Sequence, residues 1–263
     1  MATAHHPIIT ISPSSAPWLE CLSRFHKLAV LKQYPEDKKQ KSHVLRFGDL
    51  VHAVLKDLYD PQKPGELPHV DGLEAYLHLA VLRSGFEGGD REFALEKTRR
   101  LLDVYLKQQD MEDAAATVGV EVNGIYTVTK GDEVQYQLSA RLDRILVFGG
   151  GARIVGIDYK TGAGSKLPPV SGVLVNLCAL KAARPGAGSY EFRIESLSDS
   201  GVETTTFHGR DFRGQVAALS AQVQKYLAAE EYTPSPNEGC IFCPLRSGCK
   251  AAGQTVSVED LEF

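Results

Sequence analysis

No apolar run in the 263 residues approaches the roughly 20 that a membrane-spanning helix needs, so no span is expected. The first residues, MATAHHPIITIS, lack a positively charged start followed by an apolar core. That argues against a secretory signal and points to the cytoplasm. Cysteine is scarce, with five in all, and in a reducing compartment such thiols are metal ligands or plain thiols rather than disulfides. Internal repeats, heptads and low-complexity segments are missing. A phosphate-binding loop is missing too, because KTGAGSK (Lys160 to Lys166) does not follow the P-loop order. The net charge of −4 gives no overall pull toward nucleic acid. Charge is uneven, however. Arg24, Lys27, Lys32, Lys38, Lys39, Lys41 and Arg46 face only Glu36 and Asp37 in that stretch. Such a patch either meets phosphates or is a solvated, lysine-rich loop.

What is present reads as an ordinary globular mixture, with 43% hydrophobic and 24% charged residues. The N-terminal third has helical spacing: PWLECLSRFHKLAVL, then FGDLVHAVLKDLY with Val51, Val54, Leu55 and Leu58 on one stripe. A Pro/Gly-rich loop from Asp60 to Pro68 precedes two further helical stretches, at about 72–84 and 91–110. The texture then becomes β-branched and alternating in TVGVEVNGIYTV, VQYQLSARLDRILVF and ARIVGIDYK, with GDE and GGG as turns. A helical segment at about 168–183 follows, ended by Arg184-Pro185-Gly186. After it come two short strands, SYEFRIESL and VETTTFHG, and a last helix with Asp211 as its N-cap. The expected fold is α/β, a central mixed β-sheet flanked by helices, in a single domain spanning 1–263. Its parts are a helical region at about 12–115, a β-rich core at about 116–210, a helix and cysteine segment at 211–250, and a tail at 251–263.

Chemistry concentrates in GIDYKTG. In a strand, Val155, Ile157 and Tyr159 share one face, and Gly156, Asp158 and Lys160 share the other, where the glycine leaves room above the backbone. If the GGG turn closes a hairpin, residues whose numbers sum to 301 are opposed, and Asp143 faces Asp158. Directly opposed residues have Cβ atoms about 4.5–5.5 Å apart, so two carboxylates there need a proton or a cation between them. Mg²⁺ or Mn²⁺ fits hard oxygen ligands. The same residues are open to a second reading, an exposed cross-strand network of Arg141, Asp143, Asp158 and Lys160.

The order Asp143, then Asp158-Tyr159-Lys160 followed by Thr161-Gly162, resembles the PD-(D/E)xK nuclease superfamily. The closer likeness is to its RecB-like branch, in which ARLDRIL and GIDYKTG have counterparts. Gly48 to His52, in FGDLVHAVL, is similar to that branch's early helical histidine. The resemblance implies a restriction-endonuclease-like core and one or two divalent ions. The implied metal ligands are His52, Asp143, Asp158 and the Tyr159 carbonyl, with Glu121 as a further acid upstream. Lys160 would act with Asp143 and Asp158 in cutting DNA. Arg24, Lys27, Arg141 and Arg144 are the candidate DNA contacts.

Four cysteines make a second pattern: Cys240, Cys243 and Cys249 in CIFCPLRSGC, and Cys21 far upstream. By residue type they suit tetrahedral Zn²⁺ or an iron–sulfur cluster. Resemblance to nucleases of the AddB and CRISPR-associated exonuclease type implies a [4Fe–4S] cluster joining the N- and C-terminal segments. Cys178, in VNLCALKAA, reads as a buried thiol. The sequence departs from the family at the Q-x-x-x-Y positions, which fall on Leu174 and Cys178. Neither side chain can hydrogen-bond as Gln or Tyr does, and Asn176 is the nearest substitute. The leading expectation is a metal-dependent DNA exonuclease acting on single-stranded ends, alone or with a helicase, repair or CRISPR-associated partner. The alternatives are a non-catalytic DNA-binding module and a zinc-stabilised α/β protein of unrelated role.

Overall fold

The computed structural model describes residues 8–35, 43–161 and 167–251. Glu36 to Lys41 of the basic stretch, Gly162 of the D-Y-K-T-G run and the tail beyond Ala251 lie outside the described residues.

The described chain opens with a strand that sequence reading missed, β1 (Ile9–Ile11). The expected first helix is broken into a 3-10 turn (Ala16–Glu20), α1 (Leu22–Arg24) and a π-helical turn (Phe25–Val30). Then come α2 (His43–Leu58), α3 (Leu73–Ser84), α4 (Gly88–Gln108) and the short α5 (Met111–Ala115). The β-rich part holds β2 (Thr117–Lys130), β3 (Glu133–Phe148) and β4 (Arg153–Thr161). It continues through α6 (Val170–Ala183), β5 (Ser189–Ser198) and β6 (Gly201–His208). The last helix, α7 (Arg213–Leu227), begins two residues after Asp211, behind a 3-10 turn (Gly209–Phe212).

The sheet is mixed, as expected. Its order is β1-β3-β4-β5-β6, with β2 also paired to β3. The β2–β3, β3–β4 and β5–β6 pairs are antiparallel, whereas β1–β3 and β4–β5 are parallel. Helices cover both faces. On one, α2, α3 and α4 enclose a core with Leu146, Val155, Ile157 and Tyr159 from the sheet. The stripe read from the sequence, Val51, Val54, Leu55 and Leu58, is fully buried there, and each side chain contributes about 1.5–3 kcal/mol. On the other face, α6 lies under the sheet with Val173 to Leu180 all buried, and α7 packs outside it. A helix apolar all round is one enclosed on every side.

One consequence of this topology positions everything that follows. Strand β3 is long, and β1 and β4 share the same edge of it. Strand β1 pairs with Tyr136 to Leu138, and β4 pairs with Arg144 to Phe148. Between them, residues 139–143 have no described partner on that edge, and Asp143 sits at the end of the gap.

Candidate metal centre

The hairpin register is the one the GGG turn implies. Arg144 pairs with Ile157 and Phe148 with Arg153, so opposed numbers sum to 301. The ladder ends at Arg144, one residue before Asp143. There the strands part, and the Asp143 side chain fills the opening: its Oδ2 accepts the Tyr159 backbone N–H at 2.8 Å. Its Oδ1 lies 3.3 Å from Nδ1 of His52, presented by α2. On the other side of β3, Val120 pairs with Arg144 and Val122 with Leu142, which brackets Glu121 opposite Asp143. Glu121 has a left-handed backbone (φ 52°), a conformation that costs of order 1–3 kcal/mol for a residue with a side chain. Ligand atoms of His52, Glu121 and Asp143 all lie within 4.8 Å of one another. Glu121, Asp143 and Asp158 thus form a row across three strands, with His52 above it.

The rest of the expected set surrounds this row. Lys160 Nζ is 2.6 Å from Asp158 Oδ2, and Arg141 Nε is 2.8 Å from Glu121 Oε2. The His52 ring meets the Tyr159 ring edge-on at 6.1 Å. Gly156 does not leave the open space expected of it, because a Cβ there would meet Leu142 and Leu180 at 3.3 Å. Its function is close packing of β4 on α6.

Burial, and then the neighbouring Asp143, push the Asp158 carboxyl above its ordinary value, although Lys160 pulls the other way. Burial raises Glu121 too, with Asp143 adding to it and Arg141 opposing. For His52, burial favours the neutral ring, but the hydrogen bond to Asp143 and the charges of Asp143 and Asp158 outweigh it, so its pKa is raised. Crowded carboxylates that hold protons too tightly are what a cation would relieve.

Directly beneath lies a group that sequence reading placed on the surface. Arg144, expected to contact DNA, is completely buried. Its guanidinium lies 3.7 Å from the Tyr59 ring centre. It donates to Thr117 Oγ1 (2.8 Å), the Asp113 carbonyl (2.7 Å), Gln109 Oε1 and Tyr105 hydroxyl (3.3 Å each), and Tyr159 hydroxyl (3.4 Å). Glu195 joins the network through Tyr105 at 3.1 Å. Burial without these partners would cost several kcal/mol; with them Arg144 anchors the strand carrying Asp158 and Lys160.

Arg24 is also not a free phosphate contact. Its guanidinium stacks 5.1 Å from the Trp18 ring centre and donates to the Gly239 carbonyl at 3.2 Å. It lines, with Lys27, a cavity of about 280 Å³ whose walls include Cys21, Cys240, Cys243 and Cys249. No three of these sulfurs gather within 4.8 Å of one another. Backbone N–H groups of Ser235 and Asn237 lie 3.4 Å from the sulfurs of Cys21 and Cys240. Cys178 is elsewhere, in the core, where burial pushes its thiol up to about 11. Leu174 is buried beside it, so both Q-x-x-x-Y positions face the core rather than the acidic row. Asn176 donates its Nδ2 to the Gly172 carbonyl of its own helix and does not replace them.

Comparison with known families identifies one match: the model of the PD-(D/E)XK nuclease superfamily fits residues 10–250. No curated protein sequence matches the chain at a significant level. Among solved structures, "Crystal structure of SSO0001" aligns with 78% of this chain and 85% of that one, at 17% identity and a TM-score of 0.37.

Proposed function

The chain belongs to the PD-(D/E)XK nuclease superfamily, and we propose that it is a divalent-metal-dependent deoxyribonuclease that shortens DNA from single-stranded ends. The observation that carries this reading is the convergence of His52, Glu121 and Asp143 at ligand spacing beside Asp158 and Lys160. Carboxylate oxygens with one imidazole suit Mg²⁺ or Mn²⁺, and the raised proton affinity of Glu121 and Asp158 is in keeping with a cation beside them. Bound there, the ion supplies Lewis acidity and neutralises charge gathering on a phosphodiester. Asp143 and Asp158, with His52, Glu121 and the Tyr159 carbonyl, are the proposed ligands. Asp143 is oriented by the Tyr159 amide at Oδ2, which leaves Oδ1 beside His52. Lys160, held by Asp158 on the exposed side of the row, orients the attacking water and stabilises the developing phosphate charge. Arg141 and Lys27 remain candidate contacts to the DNA backbone.

The cysteine cavity favours the RecB-like branch with a [4Fe–4S] cluster. Four thiolates are the donor set of such a cluster. The same four thiolates would also suit a tetrahedral zinc ion, which metal analysis of the purified protein distinguishes from iron. The group would tie Cys21 to the C-terminal segment, converting binding energy into folding energy. A cytoplasmic setting and a helicase, repair or CRISPR-associated partner complete the proposal. The core position of Leu174 and Cys178 favours one alternative, a DNA-binding module with little turnover.

The test is degradation of 5′- and 3′-labelled single and double strands with Mg²⁺ or Mn²⁺, comparing wild type with Lys160→Ala. Progressive metal-dependent loss from single-stranded ends by wild type alone is expected. Equal loss from both proteins would sink the catalytic assignment, and DNA binding without loss would favour the binding module.

A further inference from the structure

Beside the metal centre, α2, α4 and the β5–β6 turn enclose a groove of about 590 Å³ that the proposed chemistry does not use. Its walls are apolar, with Phe47, Phe86 and Phe93 among aliphatic side chains, and at its mouth Phe93 is 64% and Val44 71% exposed. Adjacent exposed apolar side chains of this kind mark a binding surface. Each ring has a cation against it. Lys97 Nζ lies 4.6 Å from the Phe47 ring centre and 5.9 Å from that of Phe93, and the Arg46 guanidinium lies 4.4 Å from Phe86. Phe86 is buried and Phe47 half-buried, so Phe93, with Lys97 beside it, is the ring open to a ligand. A cation beside an exposed ring is what holds a single-stranded base, because every base has a face to stack.

Two carboxylates, Asp90 and Asp199, also line the groove. They make it a poor place for a phosphate and a good one for a base, whose amino groups donate to carboxylates. The groove and the metal centre share two elements, α2 and the end of β4. Thr161, on its wall, follows Lys160 directly, and Gly48 of α2 approaches Thr161 so closely that a Cβ would sit 3.3 Å from its Oγ1. Phe47 precedes His52 by five residues on α2, about 7.5 Å along the helix axis.

We propose that this groove stacks the unpaired bases of the DNA strand whose phosphodiester lies at the metal centre. The inference rests on the nuclease reading and adds to it a physical reason for preferring single strands: within a duplex each base is held by its partner and stacked between its neighbours, so its faces cannot reach the groove.

The experiment uses a single-stranded oligonucleotide carrying 2-aminopurine near its end, whose fluorescence falls when the base stacks. Wild type, Phe93→Ala and Phe93→Leu are compared, with Ca²⁺ for binding and Mg²⁺ for cleavage. Wild type should quench the probe and both variants should not, because leucine keeps apolar bulk but has no aromatic face. KM for single-stranded DNA should rise about tenfold, the loss of roughly one stacked base, with unchanged KM for blunt duplex. Wild-type quenching by either variant would overturn the proposal, as would an equal rise in KM for duplex. So would loss of self-association in Phe93→Ala with DNA binding intact, which would make the groove a contact between copies. Quenching that depends on Phe93 in a protein that cuts no DNA would uphold the groove while refuting the nuclease reading.

Discussion

The acidic row and the cysteine cavity are built in opposite ways. Every residue of the row sits on β2, β3, β4 or α2, elements locked by the sheet ladders and by the core beneath Tyr159. The cysteines sit on short turns at the two ends of the described chain, brought together by few contacts: Arg24 to Gly239, Ser235 to Cys21, and the ring of Tyr232 stacked 3.9 Å from His26. The row is therefore organised before any ion arrives, with Asp158 paired to Lys160 and Glu121 to Arg141. The cavity has no such frame of strands around it, so a group bound by the proposed thiolate ligands would return its binding energy as folding energy.

The largest effect expected from that contrast is chemical. Asp158→Asn removes a proposed ligand and the partner of Lys160, and should reduce DNA cleavage by about 10²–10³-fold while leaving the melting temperature nearly unchanged. Relief of a buried carboxylate whose pKa is already raised would even favour the folded state slightly. A large loss of stability would show instead that the row holds the fold together. Next in size is Gly124→Ala. Its Cβ would collide with the Ala179 carbonyl where β2 crosses α6, so denaturant unfolding should show a loss of about 2–4 kcal/mol. Stability equal to wild type would mean that the sheet does not press on α6 as closely as described.

A smaller effect comes from pH. The folded-state pKa values of His52, Asp158 and Glu121 are all raised. Raised groups bind protons more tightly when folded, so their contribution is fully present below the ordinary values and is lost as pH rises through the folded ones. A cation must displace the same protons. The rise in melting temperature caused by Mg²⁺ should therefore be small near about pH 5 and grow toward about pH 8. Calorimetry with and without Mg²⁺ checks this, and a rise that shrinks with pH would contradict it.

Much of the row was legible because its signals are local. The GGG turn and the alternation of β4 predict the register, and His52 stands out by the Gly48-to-His52 resemblance on a stretch whose stripe already reads as helix. What could not be read is long-range. Strand β1 has three residues and pairs in parallel with a strand more than a hundred residues later, so no turn announces it. Arg144 reads as a phosphate contact in isolation. Its burial is made possible by Tyr59, Tyr105 and Tyr159, three rings from three separate elements. The left-handed Glu121 follows no glycine or asparagine signal, and its unusual backbone is visible only in the fold. Cys240, Cys243 and Cys249 announce themselves by spacing, but the same spacing suits zinc or iron, because both take thiolate ligands.

The most direct test of the metal centre is a calorimetric titration of Mn²⁺ into wild type, Asp143→Asn and Cys243→Ser. The row is predicted to bind Mn²⁺ in wild type and in Cys243→Ser with similar affinity, and to lose binding at least about tenfold in Asp143→Asn. Undiminished Mn²⁺ binding by Asp143→Asn would contradict the assignment of the row as the metal centre.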